Sequence, residues 1–591
     1  MKPSSILALP AGLIGLIYAQ HVDDAHTYSE QLHLQPLPGG ALYAGFNFTA
    51  TTPLTAYERQ HFRFFPRSLG QILQFTHTAE LHLRFAAGRW DADSWGSRPR
   101  QGSREGGTGV ELWGWIEGED DSQAMERWSA LVNSLSGLFC ASLNFIDSTR
   151  TISPLLAFDR EGFVSPSTTP LHLMHGMLPH EVVCTENLTP FLKLLPCKGK
   201  AGLSTLLDGH KVFDANWQAM AVHVKTVCPP EGEVGECALQ MDQTLDMVLD
   251  IDRSMRPKHD PIPRPPPVEE MSCDDSKSYH SHDTCHPRHR EGEMEWSISR
   301  VFGRPIHGSC DLSSSQQESA HIFLDVPDDR VIQVSTQEFT NGTDREYHLT
   351  DARHFRLGQS LDIHLPQQLL PPTPPSPSLL DISRQITGYG QERGGMHTLI
   401  TNPHPHPLRI IYLESLPWFL RPYMHTLRVS GATIETMFYT PAIDRKKGTH
   451  LELLLSLPAH TTISLTYDFE KAVLRYTEYP PDANRGFDVP PAIIRVLKDD
   501  THGMEGGYMR TTSLLLPLPT PDFSMPYNVI ILTSTVIALG FGSIFNLLVR
   551  RFVLGDEVPG SVLGGVVGRL RGLVLGITKR GGSGGEGGKG G

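Results

Sequence analysis

Apolar and polar residues alternate with a period of two through much of this chain. In ELHLRF, Leu81, Leu83 and Phe85 share one face while Glu80, His82 and Arg84 share the other, the pattern of a half-buried strand. GALYAGFNFTATT reads the same way. Past residue 297 the pattern returns in HIFLDV, RVIQVSTQEF, HPLRIIYLESL, HTLRVSGATIETMFY, LELLLSL and TTISLTYDFEKAVLRYTEY. In the last, Ile463, Leu465, Tyr467 and Phe469 alternate with Thr462, Ser464, Thr466 and Asp468, as in a sandwich strand. SQAMERWSALVNSLSGLF is different: Met125, Trp128, Leu131, Val132, Leu135 and Leu138 form a helical stripe that reads as core, with Ser122 available as its cap.

Two stretches interrupt the pattern as surface insertions, GSRPRQGSREGGTG near residue 100 and the Pro-, His- and charge-rich run from Arg256. Neither offers much apolar area against the entropy of ordering. LPQQLLPPTPPSPS reads as an exposed loop. The expected fold is mainly β: two β-sandwich-like luminal units with a few helices, plus one C-terminal transmembrane helix. The expected boundaries are a signal peptide at 1–19, an N-terminal luminal β-rich domain at 20–252, a linker or insertion at 253–296, and a second luminal sandwich at 297–515. A stalk at 516–527, a span at 528–549 and a cytoplasmic tail at 550–591 follow.

The ends set the compartment. Lys2 precedes an apolar run from Ile6 to Ile17 that closes on the small residue Ala19, the form of a secretory signal. Val529 to Val549 is 21 residues without a charge, enough to cross a hydrocarbon core of about 30 Å. Arg550, Arg551, Arg569, Arg571, Lys579 and Arg580 follow it, so the positive-inside bias places the tail in the cytosol and the bulk in the lumen, a single-pass type I arrangement. Sequons at Asn47, Asn187 and Asn341 agree with that side, with Pro190 weakening the acceptor at Asn187. Eight cysteines in an oxidising compartment are expected to pair in part. A formal charge of −14 excludes a phosphate-tracking nucleic-acid binder.

Candidate chemistry is sparse. The one G-x-S-x-G lies in the tail GGSGGEGGKGG, where no nucleophile elbow forms. His175 and Cys184 could make a Cys/His pair, but neither spacing nor context fits a known nucleophile motif. Cys273, His280, His282, Cys285, His286 and His289 are zinc-ligand types at irregular spacing. A disulfide between Cys273 and Cys285 is the simpler reading, so no metal, cofactor or catalytic residue is expected. In the span, Ser534, Ala538, Gly542 and Asn546 recur every four residues as a small or polar face suited to packing against partner helices. VVCTENLTPFLKLLPC leaves three roles open for Cys184: an internal staple, a nucleophile, or a link to another protein. Thr189-Pro190 is expected to open a short helical turn there, and Pro196 to end it.

Several ordered blocks carry a more specific signal: LFCASLNFIDSTRTISP, EVVCTENLTPFLKLLPCKGKAGLSTLL, ITGYGQERGGM, LPWFLRPYMHTL, TEYPPDANRGF and PTPDFSMPYNVI. Together they resemble the PIG-T subunit family of the glycosylphosphatidylinositol (GPI) transamidase complex, from the first mature strands to the span. The resemblance implies a non-catalytic luminal scaffold in the endoplasmic reticulum membrane. Its implied partners are a caspase-like catalytic subunit, other membrane subunits, the GPI lipid, and precursor proteins bearing a C-terminal GPI signal. It further implies that Cys184 forms an interchain disulfide with the catalytic subunit and that Asn187 belongs to that docking surface. With Cys184 so committed, Cys140 is expected to be a buried thiol, and the other six cysteines pair as Cys228 with Cys237, Cys273 with Cys285, and Cys197 with Cys310. DANRGF resembles a family loop near the membrane, which makes Asn484 a possible GPI contact. The competing readings are a membrane-anchored adhesion or receptor-like β protein, and a luminal hydrolase using Cys184 and His175.

Overall fold

The computed structural model describes residues 26–163, 169–229, 236–256, 294–308, 320–327, 329–334, 360–368, 375–388, 390–480, 482–499, 506–519, 524–550 and 569–571, with isolated pieces within 269–287, 310, 337–348 and 501–504. The expected signal peptide at 1–19, Asn341, His280, His282, His289 and most of the tail lie outside the described residues. The polypeptide divides into two units, 1–519 and 520–591.

In the larger unit, the first strands are β1 (Thr27–Leu37), β2 (Ala41–Pro53), β3 (Thr78–Gly88), β4 (Gly109–Glu117), β5 (Thr151–Ile152), β6 (Leu171–Leu178), β7 (Trp217–Val227) and β8 (Ala238–Asp250). With β9 (Ala320–Leu324) and β10 (Glu346–His348) they form one ten-stranded sheet, ordered β10-β9-β1-β2-β8-β7-β3-β4-β6-β5. β9 runs parallel to β1, and its neighbours pair antiparallel. Helices α1 (Arg67–Phe75), α2 (Asp121–Phe139) and α3 (Thr185–Leu194) contribute to the core that includes Phe46, Phe48, Leu81, Leu83 and Phe85. Trp296, Ile298, Val334 and Ile363, which follow the insertion in sequence, pack into that same core.

The α2 stripe is buried at Trp128, Leu131, Val132 and Leu135, and its cap differs from expectation. Asp120, in extended backbone, accepts the Gln123 N–H at 2.7 Å. Ser122 already lies inside the first turn and does not cap it.

The second face of β3 is also a correction. Glu80, His82 and Arg84 are buried, not solvated. The segment 98–105, expected to be a loose surface insertion, packs instead: Arg98 pairs with Glu105, Arg100 grips Asp246 through two bonds of 2.8 Å, and Arg104 reaches Asp242 at 3.3 Å. Low apolar content did not leave this segment free, because its arginines meet carboxylates displayed by the sheet.

A β-sandwich follows, built from β11 (Asp381–Thr387), β12 (Arg393–Thr401), β13 (Leu408–Leu416), β14 (Leu420–Ser430), β15 (Thr433–Thr440), β16 (Thr449–Leu457), β17 (Thr462–Lys471), β18 (Ile493–Val496) and β19 (Gly507–Arg510). Its sheets run β11-β12-β17-β14 and β15-β16-β13-β18-β19. Met396, Ile400, Ile463, Leu465 and Phe469 from one meet Ile410, Tyr412, Leu453, Leu455 and Ile494 from the other. The mainly β expectation is met. The first core is part helix on sheet, and the second is sheet on sheet.

The two cores share a seam. Trp113, Ile152, Phe158, Leu173 and Met177 pack with Ile411, Leu413 and Ile493. Beside them, Glu452 accepts the N–H groups of Leu155, Leu156 and Ala157 at 2.7, 2.6 and 2.9 Å.

The smaller unit holds α4 (Ser524–Val549), in which Tyr527–Val549 has a mean hydropathy of 1.9. It is long and apolar enough to cross a membrane, consistent with a single-pass membrane protein.

Candidate functional site

The segment containing Cys184 builds α3, and the helix starts at Thr185, four residues before the turn expected from Thr189-Pro190. Cys184 is its N-cap, with φ −146° and ψ −175°. The reason is Asn187, the third residue of the helix, whose Oδ1 accepts the Cys184 backbone N–H at 2.9 Å. Its Nδ2 donates to the carbonyls of Phe139 at 3.0 Å and Cys140 at 3.3 Å. One side chain therefore ties the end of α2 to the start of α3.

That geometry corrects two expectations for Asn187. The residue is 1% exposed and its amide is occupied at both ends, so in the folded protein it is neither a glycan acceptor nor part of a docking surface. Its role is positional. Cys140 is corrected too: the thiol is exposed, because the residue caps α2 in the left-handed conformation, φ 51° and ψ 42°, and turns away from the core. The Ser142 N–H donates to Glu181 Oε1 at 2.8 Å, adding a second tie between the two segments. Exposed Phe145 and Val182 lie on these same segments, and Cys184 itself is half-buried.

Disulfides join Cys197 to Cys310, Cys228 to Cys237 and Cys273 to Cys285. Cys140 and Cys184 are the two free thiols. Cys273 and Cys285 are spent on a bond across a short hairpin, Met271–Cys273 with Cys285–Pro287, and are not thiolates available to a metal.

His175 sits in the buried seam on β6, not beside a reactive group at the surface. Its Nε2 is 3.8 Å from Glu111, and its ring stacks on Phe158 at 5.2 Å. Arg510 holds Glu111 with two bonds of 2.6 and 2.9 Å, and Arg84 lies 3.7 Å away. Burial alone would raise the Glu111 carboxyl; Arg510, His175 and Arg84 outweigh it and hold the group well below the usual range. Burial depresses His175, which favours the neutral ring. Nearby, His82 bonds Glu80 at 2.8 Å and meets His223 at 2.5 Å, with Trp113 stacked on it at 3.7 Å. Of these contacts, the buried Arg510–Glu111 pair is the one that joins the two cores. Sequence reasoning missed this network, whose only visible trace was the set of charged residues on the second faces of β3 and β4.

The other expected positions are dispersed. Asn47 is half-buried in mid-β2, with Nδ2 3.4 Å from Gln31 Oε1. Asn484 is exposed on a turn in which Asp482 accepts the Arg485 N–H and Arg485 pairs with Asp488. Ser534, Ala538, Gly542 and Asn546 fall at four-residue intervals along α4, with open space around Gly542.

The sequence profile described as "Gpi16 subunit, GPI transamidase component" matches residues 12–574. The chain belongs to the Gpi16 family. Among curated relatives it is 39% identical over 565 residues to the GPI transamidase component GPI16 of Saccharomyces cerevisiae, covering 90% of each chain. It is 36% identical over 542 residues to the GPI transamidase component PIG-T homolog of Schizosaccharomyces pombe, with 89% of this chain and 90% of the relative covered. Against the human GPI-anchor transamidase component PIGT the identity is 33% over 590 residues, with 92% and 94% covered. The similarity to this Gpi16 family thus runs nearly end to end in both directions.

Proposed function

We propose that this chain is a non-catalytic scaffold subunit of a GPI transamidase complex in the endoplasmic reticulum membrane. Its bulk lies in the lumen, where it holds the caspase-like catalytic subunit through an interchain disulfide at Cys184. The complex replaces the C-terminal signal of precursor proteins by a GPI anchor, and this subunit contributes to the path of substrate and GPI lipid. The observation that carries the reading is Cys184: a thiol with no partner in its own chain, set at the start of a helix by the buried amide of Asn187, in a family of transamidase components. The enclosure of His175 beside Glu111 supports the non-catalytic half, since no substrate carbonyl reaches it.

An interchain bond adds little contact area but makes rebinding intramolecular, so a modest interface persists. Non-reducing electrophoresis of the complex tests this. A species of summed mass should collapse on Cys184→Ser while Cys140→Ser leaves it intact; a ladder unaffected by Cys184→Ser refutes the linkage.

A further inference from the structure

Six of the eight cysteines are joined in pairs, and the two left over stand at one place. Cys140 ends α2 and Cys184 begins α3, with the carboxamide of Asn187 between them: Oδ1 accepts the Cys184 N–H at 2.9 Å and Nδ2 donates to the Cys140 carbonyl at 3.3 Å. A carboxamide holds its own N and O about 2 Å apart, so the Cys184 amide and the Cys140 carbonyl lie within about 8.5 Å of each other. Neither thiol is enclosed: Cys140 is exposed and Cys184 half-buried.

A disulfide requires Cα atoms within about 7 Å, and the side that can yield is the end of α2. The Cys140 and Ala141 N–H groups share one acceptor, the Ser136 carbonyl, the latter at 3.3 Å. The bond to Cys140 is also the longest of the three that Asn187 makes. Letting go of it frees residue 140 to approach Cys184, while Asn187 still caps α3 through Oδ1. The left-handed conformation at Cys140 is the one in which helices most often end on glycine; with a cysteine there, the thiol stands outside the core that α2 helps to build.

We propose that Cys140 is the exchange partner of Cys184: in the unassembled chain the two form an intrachain disulfide, and docking of the catalytic subunit replaces it by the interchain bond. The inference rests on the interchain linkage proposed above. The first pairing uses a disulfide donor of the oxidising compartment, which is reduced to its thiols as the Cys140–Cys184 bond forms. On docking, the thiolate of the incoming subunit attacks Cys184 Sγ, the Cys140–Cys184 bond breaks, and its electron pair leaves on Cys140 Sγ, which takes up a proton. One disulfide is consumed and one is formed, so assembly itself needs no oxidant. In reverse, Cys140 Sγ attacks Cys184 Sγ and releases the thiolate of the other subunit.

Disulfide mapping of the full-length chain tests it, with the protein expressed with and without the catalytic subunit, quenched in acid, alkylated with N-ethylmaleimide and read by mass spectrometry. Without the subunit, a linked Cys140–Cys184 peptide should account for most of both cysteines; in the assembled complex Cys140 should carry N-ethylmaleimide instead. At a glutathione ratio that leaves Cys197–Cys310 intact, Cys140→Ser should raise the ratio of interchain-linked to unlinked chain severalfold, since the competing bond is gone. Two alkylated thiols in the isolated chain, or an unchanged ratio in Cys140→Ser, overturn the exchange and leave the interchain linkage standing. A Cys140–Cys184 peptide that persists in the assembled complex overturns both.

Discussion

Replacing Asn187 with alanine removes three hydrogen bonds at one stroke and leaves the Cys184 N–H and the Phe139 and Cys140 carbonyls without their side-chain partner. A buried hydrogen bond contributes about 1 kcal/mol net, and a stranded buried group costs about 1–3 kcal/mol. The loss should be about 3 kcal/mol, concentrated at the junction of α2 and α3. At about 1.4 kcal/mol per tenfold, amides 184–188 should exchange roughly 100-fold faster, while those of β7 and β8 stay unchanged. The yield of the proposed interchain disulfide should fall with them, because a frayed cap no longer holds the thiol in one place. Asn187→Asp gives a finer contrast. Its carboxylate still accepts the Cys184 N–H but faces two carbonyls with no donor, so the folded state favours the protonated acid. Its folded pKa is then raised above the unfolded value, and the variant loses stability as pH rises between the two. Exchange at 184–188 in Asn187→Asp should be faster at pH 7.5 than at pH 5 after correction for the intrinsic rate. Exchange in Asn187→Ala within threefold of the parent would falsify the assignment of this side chain as the tie.

Three further perturbations follow from the seam and the first core. Arg510→Met leaves Glu111 buried without its principal counter-charge and should cost about 3–5 kcal/mol; adding Glu111→Gln should recover part of it, and additive losses in a double-mutant cycle of thermal unfolding would contradict the pairing. Gly102 has φ +73°, and a Cβ there would lie 2.0 Å from the Tyr508 carbonyl, so Gly102→Ala should loosen the seam and speed limited proteolysis between the two cores, whereas an unchanged digest would argue against that contact. Glu30, raised by burial to about 7 despite bonds from the Leu203 N–H and Tyr28 hydroxyl, favours the neutral acid, so its contribution is full below the unfolded pKa near 4.5 and is lost as pH rises through 7. The fall in stability between pH 5 and 8 should be shallower in Glu30→Gln, measured by chemical denaturation; parallel curves would exclude Glu30 as its source.

Alternation alone identified β3, β16 and β17, since period two is a local property of the backbone and survives any tertiary arrangement. The same alternation misjudged what covers the polar face of β3. Whether Glu80, His82 and Arg84 meet water or protein depends on residues outside the strand: Arg160 and the Glu161 and Gly162 N–H groups at Glu80, His223 and Trp113 at His82, and the Ser103 and Glu105 carbonyls at Arg84. The segment near residue 100 failed for the same reason: composition counts apolar area but cannot see that Asp246 and Asp242 await its arginines. At the candidate site, the prominence of Cys184 was legible from the residues around it. The role of Asn187 was not, because an N-x-T sequon and an N3 capping residue are written with the same letters, and only burial separates them.

The Cys197–Cys310 bond closes a ring with a sequence separation of 113 residues that contains β7, β8 and the whole His- and Pro-rich insertion. A protease cut within 257–268 would therefore yield two polypeptides that still migrate as one until reduced. A change in the insertion's length should cost little, since β9 is held beside β1 by their own parallel ladder and not by the insertion. Covalent continuity of this body is thus looped as well as linear, so a single cut inside the ring does not part the chain.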